Sequence, residues 1–108
     1  MNVVLNFIKT AESGKLCELI DQNGNKRLVE PYMVYESATD KRLFHCYQIQ
    51  GYSASNHTSG WKNIQVDAFI QATIQDKAFI ARKEYNPFNY EIFPKVYFSI
   101  PTFDGRQR

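Results

Sequence analysis

Leu16-Cys17-Glu18-Leu19-Ile20, the turn residues Asn23-Gly24, and Leu28-Val29-Glu30-Pro31-Tyr32-Met33-Val34-Tyr35 decide the fold class. Two compact apolar runs, the second carrying Val and Tyr, flank a dipeptide suited to positive φ, which predicts a β-hairpin. Pro31 has no amide proton to give to a ladder, so its strand is expected either to be an edge or to be bulged there.

Working outward, Val4, Phe7, Ile8 and Ala11 fall at i, i+3, i+4 and i+7, and Gly14 follows where a left-handed cap would sit. That spacing predicts a short N-terminal helix. Downstream, Ala38-Thr39-Asp40 makes a second turn and Leu43 to Ile49 an aromatic-rich third strand, followed by a polar loop from Gly51 to Gly60. Trp61 to Val66 reads as a fourth strand, the alternating Ile70, Ala72 and Ile74 as a fifth, and Lys95 to Ile100 as a last. Short strands, tight turns and one leading helix predict a mostly β fold: a small, bent sheet of five to six strands closing toward a barrel. Residues 1–100 form the expected single domain, and 101–108 a polar tail expected to fray.

The 108-residue length fits one core, and seven Tyr, eight Phe and one Trp favour strands. A net charge of only +2 excludes a strongly basic nucleic-acid binder, so any anion site must be local. Cys17 and Cys46 are too few for a disulfide scaffold and no secretory signal opens the chain, so both are expected as reduced thiols in the core of a cytoplasmic protein. No apolar run approaches the length of a membrane span, and without a signal segment Asn56-His57-Thr58 carries no weight as a glycosylation site.

Catalytic and metal chemistry find little support. His45 and Cys46 are sequential on a presumed strand and point to opposite faces, and no paired-ligand spacing exists, so no metal is expected. Gly51-Tyr52-Ser53-Ala54-Ser55 begins like a nucleophile elbow, but Ser55 replaces the second Gly and no helix pattern follows. Phosphate-cradling glycine loops are missing, and no carboxylate pair is marked for acid/base work. No enzyme activity and no cofactor are expected. The remaining signal is a stretch from Lys41 to Val66 without Asp or Glu, where Lys41, Arg42, His45, His57 and Lys62 lie among Phe44, Tyr47, Tyr52 and Trp61. Cations interleaved with rings suit a ligand with both phosphates and flat bases. The plain structural alternative is that Phe44 and Trp61 are core, Tyr47 half-buried, and the lysines solvated.

Arg27-Leu28-Val29-Glu30-Pro31-Tyr32, then Cys46 to Ser55, then Gly60-Trp61-Lys62, then Phe79 with Tyr85-Asn86-Pro87, resemble in order and spacing the WYL family, particularly its compact stand-alone members. The resemblance covers nearly the whole chain. It implies an SH3-like or Sm-like barrel with a leading helix, acting as a regulatory module of bacterial type that senses nucleotide-like ligands or binds nucleic acid. Its groove set falls by position on Arg27, Tyr32, Tyr47 and Lys62. Tyr32 stands where the family has His, Lys62 where Arg is usual, and Leu43-Phe44-His45 lies near the place of the namesake tripeptide. Lys offers a point charge where Arg offers a planar fork, which weakens bidentate phosphate recognition.

These readings converge on a nucleotide or single-stranded oligonucleotide as the expected partner. Arg27, Lys62 and Arg82 are the expected phosphate contacts, and Tyr47, Tyr52 or Trp61 the stacking rings. A separate DNA-binding or effector chain and a homodimer are further expected partners. The alternative is a protein-interaction subunit that docks through a sheet edge and binds no nucleic acid.

Overall fold

A computed structural model describes residues 2–54 and 56–108. Helix α1 spans Val3–Glu12, with the Asn2 side chain accepting from the Leu5 amide at 3.1 Å. It stops where Gly14 takes φ 66° and donates to Ala11 O at 3.0 Å. The strands are β1 (Lys15–Asp21), β2 (Lys26–Glu36), β3 (Arg42–Gly51), β4 (Gly60–Gln65), β5 (Phe69–Ala78) and β6 (Lys95–Ser99), with a 3-10 turn at Val66–Ala68. They form one antiparallel sheet in the order β4-β3-β2-β1-β5, with β6 paired to β2.

The bend of that sheet lies in β2. Its first residues, Lys26 to Val29, pair with β1, its last, Met33 to Glu36, pair with β6, and β3 runs alongside throughout. Register shifts at Leu28/Val29 and at Pro31/Met33 turn the strand between these two partnerships. The proline is thus accommodated by a bulge in a central strand rather than by an edge. β4 and β5 do not pair with each other, so the sheet is bent and open, and the 3-10 turn spans the gap. A mostly β fold with a short leading helix is what the hydrophobic pattern predicts.

Three details differ from the sequence reading. Val66 leaves β4 and is buried in the 3-10 turn. Of the apolar residues alternating along β5, Ala72 is buried, whereas Ile70 and Ile74 are 58% and 52% exposed: Ile70 falls at the register slip beside Asp21, and Ile74 lies in register with Ala72 on a strand that forms an open edge. The C-terminal residues fold back: Thr102 accepts from and donates to Arg106, Gln107 donates to Ser99 O at 2.9 Å, and Arg108 to Pro87 O at 2.8 Å.

Each face of the sheet carries a core. On one, Phe7 of α1 stacks on Phe44 at 4.1 Å over Cys17, Leu19 and Val29, and both cysteines are buried free thiols. Burial pushes the Cys17 thiol up to about 12. On the other, Tyr32 is fully buried, with Tyr85 at 4.7 Å, Trp61 at 4.8 Å and Phe79 at 5.4 Å between ring centroids. Phe79, Tyr85 and Phe93 come from residues 79–94, a segment without helix or strand that covers this face.

A polar clasp holds the segment down. Arg82 donates from Nε and Nη2 to the two Glu30 oxygens at 2.9 and 3.1 Å, the Tyr32 hydroxyl donates to Glu30 Oε1 at 2.9 Å, and the Arg82 amide donates to that hydroxyl at 2.9 Å. The Glu30 side chain is 8% exposed and that of Arg82 34%. Arg82→Met leaves a buried carboxylate with one partner, and allowing for solvent near Arg82 it lowers stability by about 2–3 kcal/mol. The urea midpoint should fall by the corresponding amount at an unchanged slope, and an unaltered midpoint would show that the clasp contributes nothing.

Candidate functional site

Strand alternation sorts the side chains that sequence reading groups together. Along β3, Phe44, Cys46 and Gln48 face the helix-side core, while His45 and Tyr47 face the core under residues 79–94. On β4, paired to it from Leu43↔Gln65 to Gln48↔Gly60, Ile64 packs with the first set and Trp61 with the second. The expected single groove is therefore divided by the sheet.

Four of the expected residues lie on the segment-covered side. Tyr32 is fully buried and presents no surface to a ligand; burial raises its hydroxyl well above the ordinary value. Arg82 is neutralised by Glu30 and stacks on the Tyr47 ring at 3.6 Å, so cation and ring occupy each other. Trp61 lies at 5.3 Å and 88° to Tyr47 and stacks on His45 at 4.9 Å and 7°.

Arg27, Tyr52 and Lys62 lie toward the other side. The Arg27 guanidinium sits 5.6 Å from the Tyr52 ring and 5.8 Å from the Phe69 ring, and its Nη1 donates to Gln48 Oε1 at 3.1 Å. Gln48 is fully buried and donates in turn to Tyr52 O at 2.9 Å. Arg27 Nε is buried and, among the described residues, has no hydrogen-bond partner; nor does Arg27 enter an ion pair there. The residue lines an open hollow of about 560 Å³ in the gap between β4 and β5, with Asn63, Gln65, Asp67 and Phe69. Lys62 reaches into the β3–β4 loop, donating to His57 O at 2.6 Å and Ser53 Oγ at 3.2 Å. Burial pushes the Cys46 thiol up strongly, against the opposing pull of Arg27 and Lys62.

Gly51 makes this arrangement possible. It takes φ 111°, and a Cβ there would stand 2.3 Å from Lys26 O and 2.9 Å from Arg27 Cα. The close approach lets the Tyr52 amide donate to Lys26 O at 2.8 Å, fixing Tyr52 beside Arg27.

The acid-free stretch does not make an acid-free surface. Glu36 pairs with Arg42 across the hairpin, and Lys41 and Arg42 share a hollow with Glu36, Asp40 and Asp67. No group of three or more His, Cys, Asp or Glu suited to a metal occurs among the described residues. Of the elbow-like Gly51 to Ser55, Ser55 lies outside the described residues, and Ser53 accepts from Lys62. No described helix is long and apolar enough to cross a membrane.

Sequence reading missed Gln48, Phe69, Glu30 and the partners of His45. Glu30 did leave a signal, as the one charged residue in the apolar run Leu28 to Tyr35, whereas Gln48 shares its strand with His45 and Gln50 and is not marked out by pattern. His45 Nδ1 lies 2.8 Å from Asn63 Oδ1, and burial takes its ring down to about 4 despite that bond. No family model, curated protein or solved structure matches the chain.

Two outcomes follow from this geometry. The unfolded chain protonates His45 near its ordinary 6.5 while the folded chain resists until about 4, so stability present above 6.5 is lost as pH falls through that window. The loss is on the order of 3 kcal/mol. Urea midpoints at neutral pH and at the lower end of the window should therefore fall further in the native protein than in His45→Phe, and equal falls would contradict a buried neutral imidazole. Gly51→Ala should cost on the order of 1–3 kcal/mol and displace the Tyr52 and Arg27 resonances together in amide and guanidinium NMR spectra.

Proposed function

We propose that this chain is a binding module for nucleotide-like ligands, taking a phosphate at Arg27 and a base against Tyr52, rather than an enzyme. The observation that carries the reading is the state of the Arg27 guanidinium. It is half-buried, held by one neutral hydrogen bond through Nη1, has an unpartnered buried Nε, and is flanked by two rings at an open hollow. An unsatisfied buried donor costs roughly 1–3 kcal/mol. That expense is intelligible where a ligand engages the rest of the group, and with Nη1 held by Gln48 and Nε enclosed, Nη2 is the donor left for a phosphate oxygen at the hollow. Arg82 supplies the contrast, since its equivalent edge is filled by Glu30. The resemblance to the WYL family supports the same reading through its groove position at Arg27, and a regulatory, ligand-sensing role with a separate effector chain accords with it.

A second reading, a protein-interaction subunit, is favoured by one observation. β5 has β1 as its single sheet neighbour among the described residues and exposes Ile70 and Ile74, so it offers a strand edge with apolar contacts to a partner chain or a second copy.

Fluorescence anisotropy of a dye-labelled single-stranded oligothymidylate separates the two. Binding should be saturable, weaken steeply with added salt, be competed by mononucleotides, and fall by about tenfold or more in Arg27→Met. Salt-insensitive binding, binding indifferent to Arg27→Met, or no binding would sink the nucleotide reading. Recovery of a stoichiometric protein partner lost on Ile70→Lys, without nucleic acid, would establish the second.

A further inference from the structure

Residues 79–94 do more than cover the sheet. Between them and strands β3 and β4 lies a hollow of about 210 Å³ whose wall includes His45, Trp61, Tyr85 and Phe93, with Glu84 and Asn86 at its exposed rim. The inner surfaces are buried: His45 is 8% exposed, Tyr85 3% and Phe93 5%. The rings pack on one another as one wall of the hollow, with His45 stacked on Trp61 at 4.9 Å and 7°, Phe93 tilted against His45 at 4.9 Å, and Tyr85 at 6.2 Å.

The hydrogen bonds fix what His45 offers. Asn63 Oδ1 accepts from the Tyr35 hydroxyl at 3.0 Å and lies 2.8 Å from His45 Nδ1. With the amide oxygen assigned to this position, it can only accept, so Nδ1 carries the proton and Nε2 the lone pair. Nδ1 makes the only side-chain hydrogen bond of His45 among the described residues, and the ring itself lines the hollow. A neutral imidazole among these rings, with its acceptor nitrogen unused by the protein, is a polar group set into an aromatic wall.

The size and charge of the hollow narrow the occupant. Its volume lies below the roughly 300–1,000 Å³ of sites that hold drug-sized ligands, which leaves room for one ring system. The lining contains no Lys or Arg and one carboxylate, Glu84, so a phosphate is disfavoured. Asn86 and Asn89 each accept a backbone amide with the side-chain oxygen, from Phe88 and Ile92, so their amide groups are oriented with the oxygens inward to the chain and the NH2 donors unengaged by those turns. Because His45 and Cys46 face opposite sides of β3, this hollow is separate from the Arg27 mouth.

We propose that the His45 hollow is a binding site for a small, flat, uncharged nitrogen heterocycle, which lies against the Trp61, Tyr85 and Phe93 rings and donates a ring N–H to His45 Nε2. Aromatic stacking supplies the affinity and the imidazole lone pair the selectivity. A ring of the same shape without the N–H covers the acceptor, leaves it unpaired, and binds more weakly.

Benzimidazole and its N-methyl derivative differ in that donor and serve as the probes. With isotope-labelled histidine nitrogens at slightly alkaline pH, benzimidazole should shift the Trp61 indole and Tyr85 and Phe93 ring resonances saturably and move His45 Nε2 in the direction of hydrogen-bond acceptance. The N-methyl compound should bind at least about tenfold more weakly. His45→Phe keeps a ring but removes the lone pair, so the two probes should then bind alike. Should that variant fail to fold, the Nε2 resonance of the unaltered protein decides the matter. Absence of saturable shifts, equal affinity of the two probes for the unaltered protein, or an unmoved Nε2 beside shifted wall resonances would overturn the proposal.

Discussion

A carboxylate with almost no access to water stands in the middle of the most heavily paired strand of this protein. Glu30 lies beside Pro31 at the bulge of β2, where the neighbouring side chains Val29, Tyr32, Met33 and Val34 are all fully buried. Such a group is tolerable only when its lone pairs are satisfied. The Tyr32 hydroxyl and the fork of Arg82 do so, and Arg82 belongs to a segment with no helix or strand of its own. Satisfying Glu30 therefore brings residues 79–94 onto the sheet. Phe79, Tyr85 and Phe93 arrive with them to bury Tyr32, shelter Trp61, and complete the aromatic wall around His45.

The same clasp distributes the protein's cations between structure and surface chemistry. Arg82 is consumed by Glu30 on one edge and by the Tyr47 face on the other. Arg27 has a neutral amide from Gln48 and two distant rings, with no carboxylate in contact among the described residues. These two arginines thus differ in kind because one meets a buried acid and the other a buried amide. Pleating adds a second division. Successive residues of β3 alternate between a face that holds the Arg27–Gln48 pair and a face that holds the His45–Trp61 stack, so neighbours in sequence serve separate environments.

Much of this was written into local patterns. The i, i+3, i+4, i+7 stripe ending at Gly14, the apolar runs, the turn at Asn23-Gly24 and the need for an edge or a bulge at Pro31 each follow from period or from a backbone restriction, and these act over a few residues. The expectation of free, buried thiols at Cys17 and Cys46 likewise needed no distant contact, resting on a cysteine count too low for a disulfide scaffold and on the lack of a signal pattern. What eluded the sequence depends on pairings between distant positions. The run from Lys41 to Val66 has no acids of its own, yet the hairpin register sets Glu36 against Arg42 and the 3-10 turn brings Asp67 to the same hollow. The polar C-terminal residues carry no apolar pattern, and hydrogen bonds to Ser99 and Pro87 hold them.

By itself, then, the sequence determined a mostly β chain with a leading helix, its strand order along the chain, and the stock of cations and rings available for binding. Tertiary structure alone decided which of them meet: Tyr32 went to the core, Arg82 to Glu30, and Trp61 to His45, while Arg27 stayed with Tyr52 at the open gap of the sheet. The reason is that hydrophobic period and turn chemistry are local properties. The partner of a buried charge is set by a strand register and a segment crossing that join residues some fifty positions apart, as Glu30 and Arg82 are.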